Sequence, residues 1–331
     1  MKVVIDNAIP YIKGVLEPYA EVLYRAGNAF SAEDVRDADA LIIRTRTRCN
    51  RELLDSSRVK LIATATIGFD HIDREYCRQQ GIKVVTAAGC YAAGVLQWVA
   101  SALALIAKAD GWQPQELTLG IVGVGNVGSL VERYAREWGF RILRCDPPRQ
   151  MSEGGDFLSL EEVVSGSDIV TFHTPLDSTT YHLINDRIIS LMRPNGVIIN
   201  ASRGEVADTA ALLKAPQRLL IDVWENEPAI NAELLAKAIV TTPHIAGYSA
   251  QGKANASVAA VRAVAEYFSL PLTEWYPCEV KPAERRVIGW QEMCQTINSY
   301  CDLTEESARL KSHAEDFESL RNNYNYREEY F

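Results

Sequence analysis

Short apolar runs recur through the first 90 residues, separated by polar and amphipathic stretches. KVVID (2–6), ALIIR (40–44), KLIAT (60–64) and IKVVT (82–86) are rich in β-branched residues and predict strands, with intervening segments long enough for helices. Such alternation predicts βαβ crossovers and a mostly parallel sheet. AAGVLQWVASALALIAK (92–108) is nearly continuous in apolar residues, too short and too interrupted for a membrane span, and predicts a buried helix. The β/α rhythm then restarts with LTLGIVG (117–123), FRILRCD (140–146), DIVTFHT (168–174), GVIINAS (196–202), RLLIDVW (218–224) and AIVTTPH (238–244). A second long helical pattern begins at Ser249 and ends before Pro271. From about Val280 the spacing stays helical but charges multiply, and Phe317, Tyr324, Tyr326, Tyr330 and Phe331 cluster near the end. These rings predict a small helical segment that packs on the body or on a second subunit.

The pattern divides the chain into residues 1–92 with 249–279, residues 93–248, and a tail over 280–331. A length of 331 residues accommodates this division. The fold class is α/β, two doubly wound parallel-sheet domains plus a small C-terminal helical segment. Charge narrows the partners. Lys and Arg total 34 against 43 Asp and Glu, a net charge of −9, which argues against nucleic acid and anionic membranes. Met1-Lys2 runs straight into the first strand with no signal-peptide core, so the expected location is cytoplasmic. Seven scattered cysteines without a Cys-x-x-Cys pair predict free thiols, and no metal site is expected.

Gly123, Gly125 and Gly128 form a G-x-G-x-x-G that closes one strand and opens a helical pattern. The first glycine allows a tight turn, the second lets backbone N–H groups approach a pyrophosphate, and the third permits close helix–strand packing. Asp146 ends the next strand, where a carboxylate accepts from ribose hydroxyls and repels a 2′-phosphate. Strand, turn, helix, strand and acid in this order predict a Rossmann domain that binds NAD. Arg149 is the one nearby residue that tempers the preference over NADP.

Three further strand ends present polar residues: Asn200-Ala-Ser-Arg203-Gly204, Asp222-Val-Trp-Glu-Asn-Glu227-Pro228 and Thr242-Pro-His244-Ile-Ala-Gly-Tyr248. C-terminal strand ends line the ligand crevice of an open α/β sheet, so these loops are expected to converge beside the glycine loop. Following the glycine motif in this order, they resemble the D-2-hydroxy acid dehydrogenase family over residues 1 to about 270. The resemblance implies NAD-dependent oxidation of a 2-hydroxy acid, with Arg203, Glu227 and His244 as the catalytic trio. The residue types suit that chemistry. An imidazole takes the hydroxyl proton, a carboxylate behind it fixes the tautomer, and a guanidinium holds the substrate carboxylate. His71, His173, His182 and His313 lie outside the pattern and read as structural.

Within the family, Ile43-Arg44-Thr45-Arg46-Thr47, Thr64-Ala-Thr66-Ile-Gly-Phe-Asp70-His71, Gly89-Cys90, Cys145-Asp146-Pro-Pro-Arg149, His244 to Lys253 and the stretch Phe317 to Tyr330 resemble members that act on a phosphorylated 2-hydroxy acid. These members carry an extra C-terminal dimerisation domain, which implies a homodimer built through 280–331. They imply that Thr45, Thr66 and Tyr248 bind substrate and that Asn126, Val127, Thr174, Asp222 and Gly247 join Asp146 and the three glycines in the NAD site. The first domain would be a flavodoxin-like substrate domain. Arg44, Arg46 and Arg48, spaced to share one side of an extended strand, would place positive charge there, Arg44 and Arg46 serving the substrate's carboxylate and phosphate. Tyr91 stands where these members usually have Asn, Gln97 where they have an acid, and Thr45 where serine is more frequent; the chain also ends soon after the Arg- and Tyr-rich helix, short of their full C-terminal domain. Two other readings compete: a dehydrogenase for another 2-hydroxy acid such as 3-phosphoglycerate, and a nucleotide-sensing, corepressor-like peptide-binding protein. The intact trio weighs against the second.

Overall fold

In a computed structural model of the chain, which describes residues 1–331, the apolar runs pair into two separate parallel sheets, each within its own compact unit. The first unit comprises Met1–Tyr91 and Ser249–Pro282. Its strands are β1 (Lys2–Asp6), β2 (Glu21–Arg25), β3 (Ala40–Ile43), β4 (Leu61–Thr64) and β5 (Lys83–Thr86), in the order β2-β1-β3-β4-β5. Val3 lies opposite Val22 on one side and Ala40 on the other, so β1 is central. Its Val3, Val4 and Ile5 are fully buried because both faces are covered, which explains the unbroken apolar run. Helix Ala250–Phe268 lays Ala256, Ala260, Val261 and Val264 against Val3, Ile5 and Ile42. Val4, Leu41, Ile43 and Ile62 point the other way, into Val35, Leu54 and Tyr76.

Strand β2 is missing from the sequence reading, which leaves residues 7–39 as a segment long enough for a helix. Pro10, Gly14 and Pro18 break any long helix, and the stretch becomes turns, the half-exposed edge strand β2, a 3-10 turn Gly27–Ala29 and a short α-helix, Ala32–Val35. A second correction concerns Arg44, Arg46 and Arg48. β3 ends at Ile43, and the chain turns so that the Thr47 N–H donates to the Arg44 carbonyl at 3.1 Å. The three arginines therefore lie on a turn, pinned where the Thr47 hydroxyl donates to the Gly27 carbonyl at 2.8 Å, and the shared strand face does not form.

The second unit comprises Ala92–Tyr248 and Ala283–Phe331. Strands β6 (Thr118–Val122), β7 (Arg141–Cys145), β8 (Ile169–Phe172), β9 (Val197–Asn200), β10 (Arg218–Ile221) and β11 (Val240–Thr241) follow the order β11-β10-β9-β8-β6-β7. This repeats the winding of the first unit with one strand more at the far edge. In both, the strand order reverses beside the first strand, between β1 and β3 and between β6 and β8. Ligand crevices open at such reversals. Helix Ala92–Asp110 is long and apolar enough to cross a bilayer by length and composition, beyond what the sequence pattern suggests. It lies 83% buried inside the second unit, packed with helix Asn126–Trp138 on one sheet face.

The C-terminal residues join this second unit. Trp290 stacks on Trp112 at 5.8 Å, Phe331 meets Tyr134 at 5.4 Å, and the Trp138 indole donates to the Ile288 carbonyl at 3.0 Å. The aromatic cluster thus packs on the chain's own body. Trp138→Ala removes both the rings' platform and this hydrogen bond, a loss of about 3–5 kcal/mol. Urea denaturation is expected to show that loss together with faster proteolysis after residue 283; an unchanged midpoint would contradict the packing described.

Candidate active site

The glycine loop is built as its spacing requires. Gly123 sits at φ +84°, and a Cβ there would lie 2.8 Å from the His173 backbone. At Gly128 a Cβ would come within 2.0 Å of the Gly123 carbonyl oxygen, so helix Asn126–Trp138 can approach the turn only with glycine in that place. Gly125 differs: a Cβ there meets no atom within 4 Å. No side chain caps the helix that starts beside it, so its first N–H groups have no capping partner. The buried Thr174 hydroxyl, just past β8, has no hydrogen-bond partner. An open cradle, uncapped N–H groups and an orphaned hydroxyl fit a bound dinucleotide. Asn126 is exposed at the helix start and Val127 is half-buried against the core.

Asp146 accepts the Val124 N–H at 2.7 Å and the Arg149 N–H at 3.0 Å, so its carboxylate is fixed at the end of β7. The Arg149 guanidinium is engaged twice by Glu153, at 2.9 and 2.6 Å, and also donates to the Val124 carbonyl. That engagement removes the reservation about Arg149, because its charge is already balanced.

The three polar loops follow β9, β10 and β11, which are neighbours in the sheet. They are stitched together at Asp222, only 1% exposed. Its Oδ1 accepts the Thr242 hydroxyl at 2.6 Å and the Ile245 N–H at 2.8 Å, while Oδ2 accepts the Ala246 N–H at 3.0 Å. Thr242 in turn accepts the Trp98 indole N–H at 3.0 Å. Burial pushes the Asp222 carboxyl above its usual range, against the pull of His244 and these three donors. Asp222 therefore anchors the His244 loop. On the other side, Gly204 packs so tightly on the Trp224 carbonyl that a Cβ would lie 2.0 Å from it.

His244 is held at φ +57°, its N–H donating to the Asp222 carbonyl at 2.8 Å. Its Nδ1 lies 2.8 Å from Glu227 Oε2. Glu227 Oε1 accepts the Trp224 N–H at 2.9 Å, so both carboxylate oxygens are fixed. Burial raises the Glu227 carboxyl, but His244, the Trp224 N–H and Arg321 more than offset it and hold the group below its ordinary value. An ionised carboxylate only accepts, so the Nδ1 proton belongs to His244 and Nε2 is left as the basic nitrogen. Arg203 Nη1 donates to the Ser202 carbonyl at 2.7 Å, and Asn200 holds the Arg203 carbonyl at 3.0 Å. His173 is pushed down to about 3 by burial and bonds Thr171, while His182 pairs with Glu225 at 2.7 Å.

In the first unit, Arg44 Nε donates to the fully buried Asp6 carboxylate at 3.0 Å, at the reversal between β1 and β3. Thr45 and Arg46 are exposed beside it. After β4, the Thr66 hydroxyl lies 2.6 Å from that of Thr64 and donates to the Gly68 carbonyl. Tyr91 donates its hydroxyl to the Ala65 carbonyl at 3.0 Å. Tyr248 and Gly247 lie in the second unit, on the His244 loop. Gln97 is fully buried and donates to the Glu328 carbonyl at 3.2 Å, so the amide in place of an acid is absorbed by the C-terminal segment. Arg321 and Arg327, within the stretch Phe317 to Tyr330, reach this loop from far along the chain; sequence reasoning gave that stretch to dimerisation and missed their place beside His244.

Residues 97–246 match the family described as D-isomer specific 2-hydroxyacid dehydrogenase, NAD binding domain. Among solved structures, a D-lactate dehydrogenase from Aquifex aeolicus complexed with NAD and lactic acid aligns with a TM-score of 0.67 at 25% identity, over 81% of this chain and 96% of that one. An NAD-bound 3-phosphoglycerate dehydrogenase of Entamoeba histolytica gives 0.67 at 26% identity, over 81% and 95%. The erythronate-4-phosphate dehydrogenase of Bacteroides thetaiotaomicron is 47% identical, covering 99% of this chain and 97% of the relative, and that of Cronobacter sakazakii is 37% identical over 100% and 92%. The chain belongs to the erythronate-4-phosphate dehydrogenases, within the D-isomer specific 2-hydroxyacid dehydrogenase family. It is an NAD-dependent dehydrogenase, and the residues that match the NAD-binding domain, 97–246, lie within its second unit.

The glycine geometry separates binding from folding. Gly125→Val is expected to keep the melting midpoint close to wild type while weakening NAD at least tenfold by fluorescence titration, because its side chain enters the open cradle. Gly128→Ala, with a methyl driven into a carbonyl oxygen, is expected to destabilise the fold by several kcal/mol, on the order of other overpacked sites. Equal NAD affinity in Gly125→Val would contradict the cradle.

Proposed function

We propose that this protein oxidises 4-phospho-D-erythronate with NAD to (3R)-3-hydroxy-2-oxo-4-phosphooxybutanoate, a step of pyridoxal 5′-phosphate biosynthesis. The hydrogen bond between His244 Nδ1 and Glu227, at 2.8 Å on a loop anchored by Asp222, is the observation that carries the reading, together with likeness to erythronate-4-phosphate dehydrogenases over nearly the whole chain. NAD, when bound, supplies the acceptor for the hydride from C2. His244 Nε2 takes the C2 hydroxyl proton as base, and Glu227 fixes its tautomer and stabilises the imidazolium. Arg203 offers its fork of donors to the substrate carboxylate and the developing carbonyl oxygen.

Gly123, Gly125, Asn126, Val127, Gly128, Asp146, Thr174, Asp222 and Gly247 hold the dinucleotide in this proposal, and Asp222 also anchors the His244 loop. Arg44, Thr45, Arg46 and Thr66 of the first unit and Tyr248 of the second bind substrate, the arginines supplying charge for a carboxylate and a phosphate on an otherwise acidic chain. Residues 1–92 with 249–279 would act as the substrate domain. The reading includes a cytoplasmic homodimer, carried by the family likeness.

One experiment tests it. Purified protein, its mass read by light scattering for the expected dimer, is given NAD with 4-phospho-D-erythronate, 3-phosphoglycerate or unphosphorylated 2-hydroxy acids, and nicotinamide absorbance is followed. Turnover is expected with the first substrate above the others, and His244→Gln is expected to lose about 10²–10⁴ of it while NAD still binds. Turnover restricted to another acid, or full activity in His244→Gln, would sink the assignment. NAD binding with no turnover would favour a sensor.

A further inference from the structure

Two arginines of the C-terminal segment converge on the His244 loop within the second unit. Arg327 is only 6% exposed. Its Nη1 donates to the Ile245 carbonyl at 3.1 Å, and its Nη2 donates to the carbonyls of Ala246 and of Gly94, the latter at 2.8 Å. The two residues that follow His244 thus present their N–H groups to Asp222 and their carbonyls to Arg327. The loop is gripped from one side by a buried carboxyl and from the other by a buried guanidinium.

Arg321, on helix Phe317–Asn322, reaches further toward the chemistry. Its Nε lies 3.2 Å from the Tyr248 hydroxyl, and its Nη1 lies 3.6 Å from Glu227 Oε2. That is the same oxygen that accepts the His244 Nδ1–H. One carboxylate oxygen is therefore shared between an imidazole and a guanidinium.

We propose that Arg321 is a positioning residue of the His244–Glu227 pair, a fixed cation that anchors the carboxylate and opposes a second positive charge on the imidazole. The inference rests on His244 being the base. A glutamate with no other partner spends its whole charge on the imidazolium and keeps the histidine protonated over a wider pH range. A glutamate shared with a guanidinium stabilises the imidazolium less, so the histidine gives up its proton sooner and is ready for the next substrate hydroxyl. The groups that face the pair are Asp222 beneath the loop, Arg327 behind Ile245 and Ala246, Tyr248 beside Arg321, and Arg321 itself. Removing Arg321 takes away the cation beside Glu227 Oε2. A group that simply bound substrate phosphate would show a different signature, because it would alter KM and leave the protonation of the base alone.

The test is the pH profile of kcat/KM at saturating NAD for wild type, Arg321→Gln, Arg321→Met and Arg321→Lys, each below its melting temperature. Loss of the cation is expected to move the acidic limb upward by about one pH unit, roughly tenfold in rate on that limb, with kcat on the alkaline plateau nearly kept. Arg321→Lys retains the charge and is expected to bring the limb most of the way back. An unmoved limb in both neutral variants, or a change confined to KM, overturns the inference. His244→Gln, measured alongside, separates the two failures. If it is inactive while the limb stays put in the Arg321 variants, the base stands and only the role of Arg321 falls; if it remains active, the reading of the base falls as well.

Discussion

A carboxylate with 1% exposure, Asp222, is the point on which the candidate site turns. Burying an ionisable group is costly unless donors replace its lost water, and Asp222 receives three: the Thr242 hydroxyl and the N–H groups of Ile245 and Ala246. All three come from the loop after β11, so the cost is offset only while that loop holds one conformation. The conformation is unusual, since His244 sits in the left-handed region that side chains with a Cβ seldom adopt. Strain of about 1–3 kcal/mol of this kind persists only where surrounding bonds over-determine it. Here the His244 N–H donates to the Asp222 carbonyl, and Arg327 holds the carbonyls beyond.

From that anchor the remaining geometry follows. β9, β10 and β11 are parallel neighbours, so their C-terminal loops emerge side by side, and Gly204 lets the first sit directly on the backbone of the second. Glu227 is fixed by the Trp224 N–H and meets the imidazole where the Asp222-bound loop presents it. The glycine turn lies at the other end of the same sheet edge, beside the reversal between β6 and β8. An analogous device stands in the first unit, where the buried Asp6 carboxylate pairs with Arg44 beside the reversal between β1 and β3.

Much of this was legible in the chain. Central strands of a covered parallel sheet read as continuous apolar runs, and the glycine spacing is dictated by contacts as close as 2.0 Å. What escaped had physical causes. The edge strand Glu21–Arg25 is half-exposed and has no strong apolar signal. The turn at Arg44–Arg48 depends on a buried threonine bonding to Gly27, which local spacing cannot reveal. The anchoring role of Asp222 was not legible, because an acid at a strand end is equally suited to binding and to anchoring, and the bonds to Thr242, Ile245 and Ala246 appear only in the fold. Arg321 and Arg327 reach the loop from a segment whose pattern pointed to packing and dimerisation rather than to the site, and the Trp98–Thr242 bond joins helix to loop across 144 residues.

A double-mutant cycle on kcat/KM between Asp222→Asn and His244→Gln tests the anchor most directly. If Asp222 acts by holding His244 in place, Asp222→Asn is expected to lower kcat/KM by on the order of 100-fold in the wild-type background and by less than about threefold once His244 is gone, since groups acting as a unit are not additive. The same fold-loss in both backgrounds would contradict the account, because it would mean that Asp222 contributes independently of the histidine it is held to position.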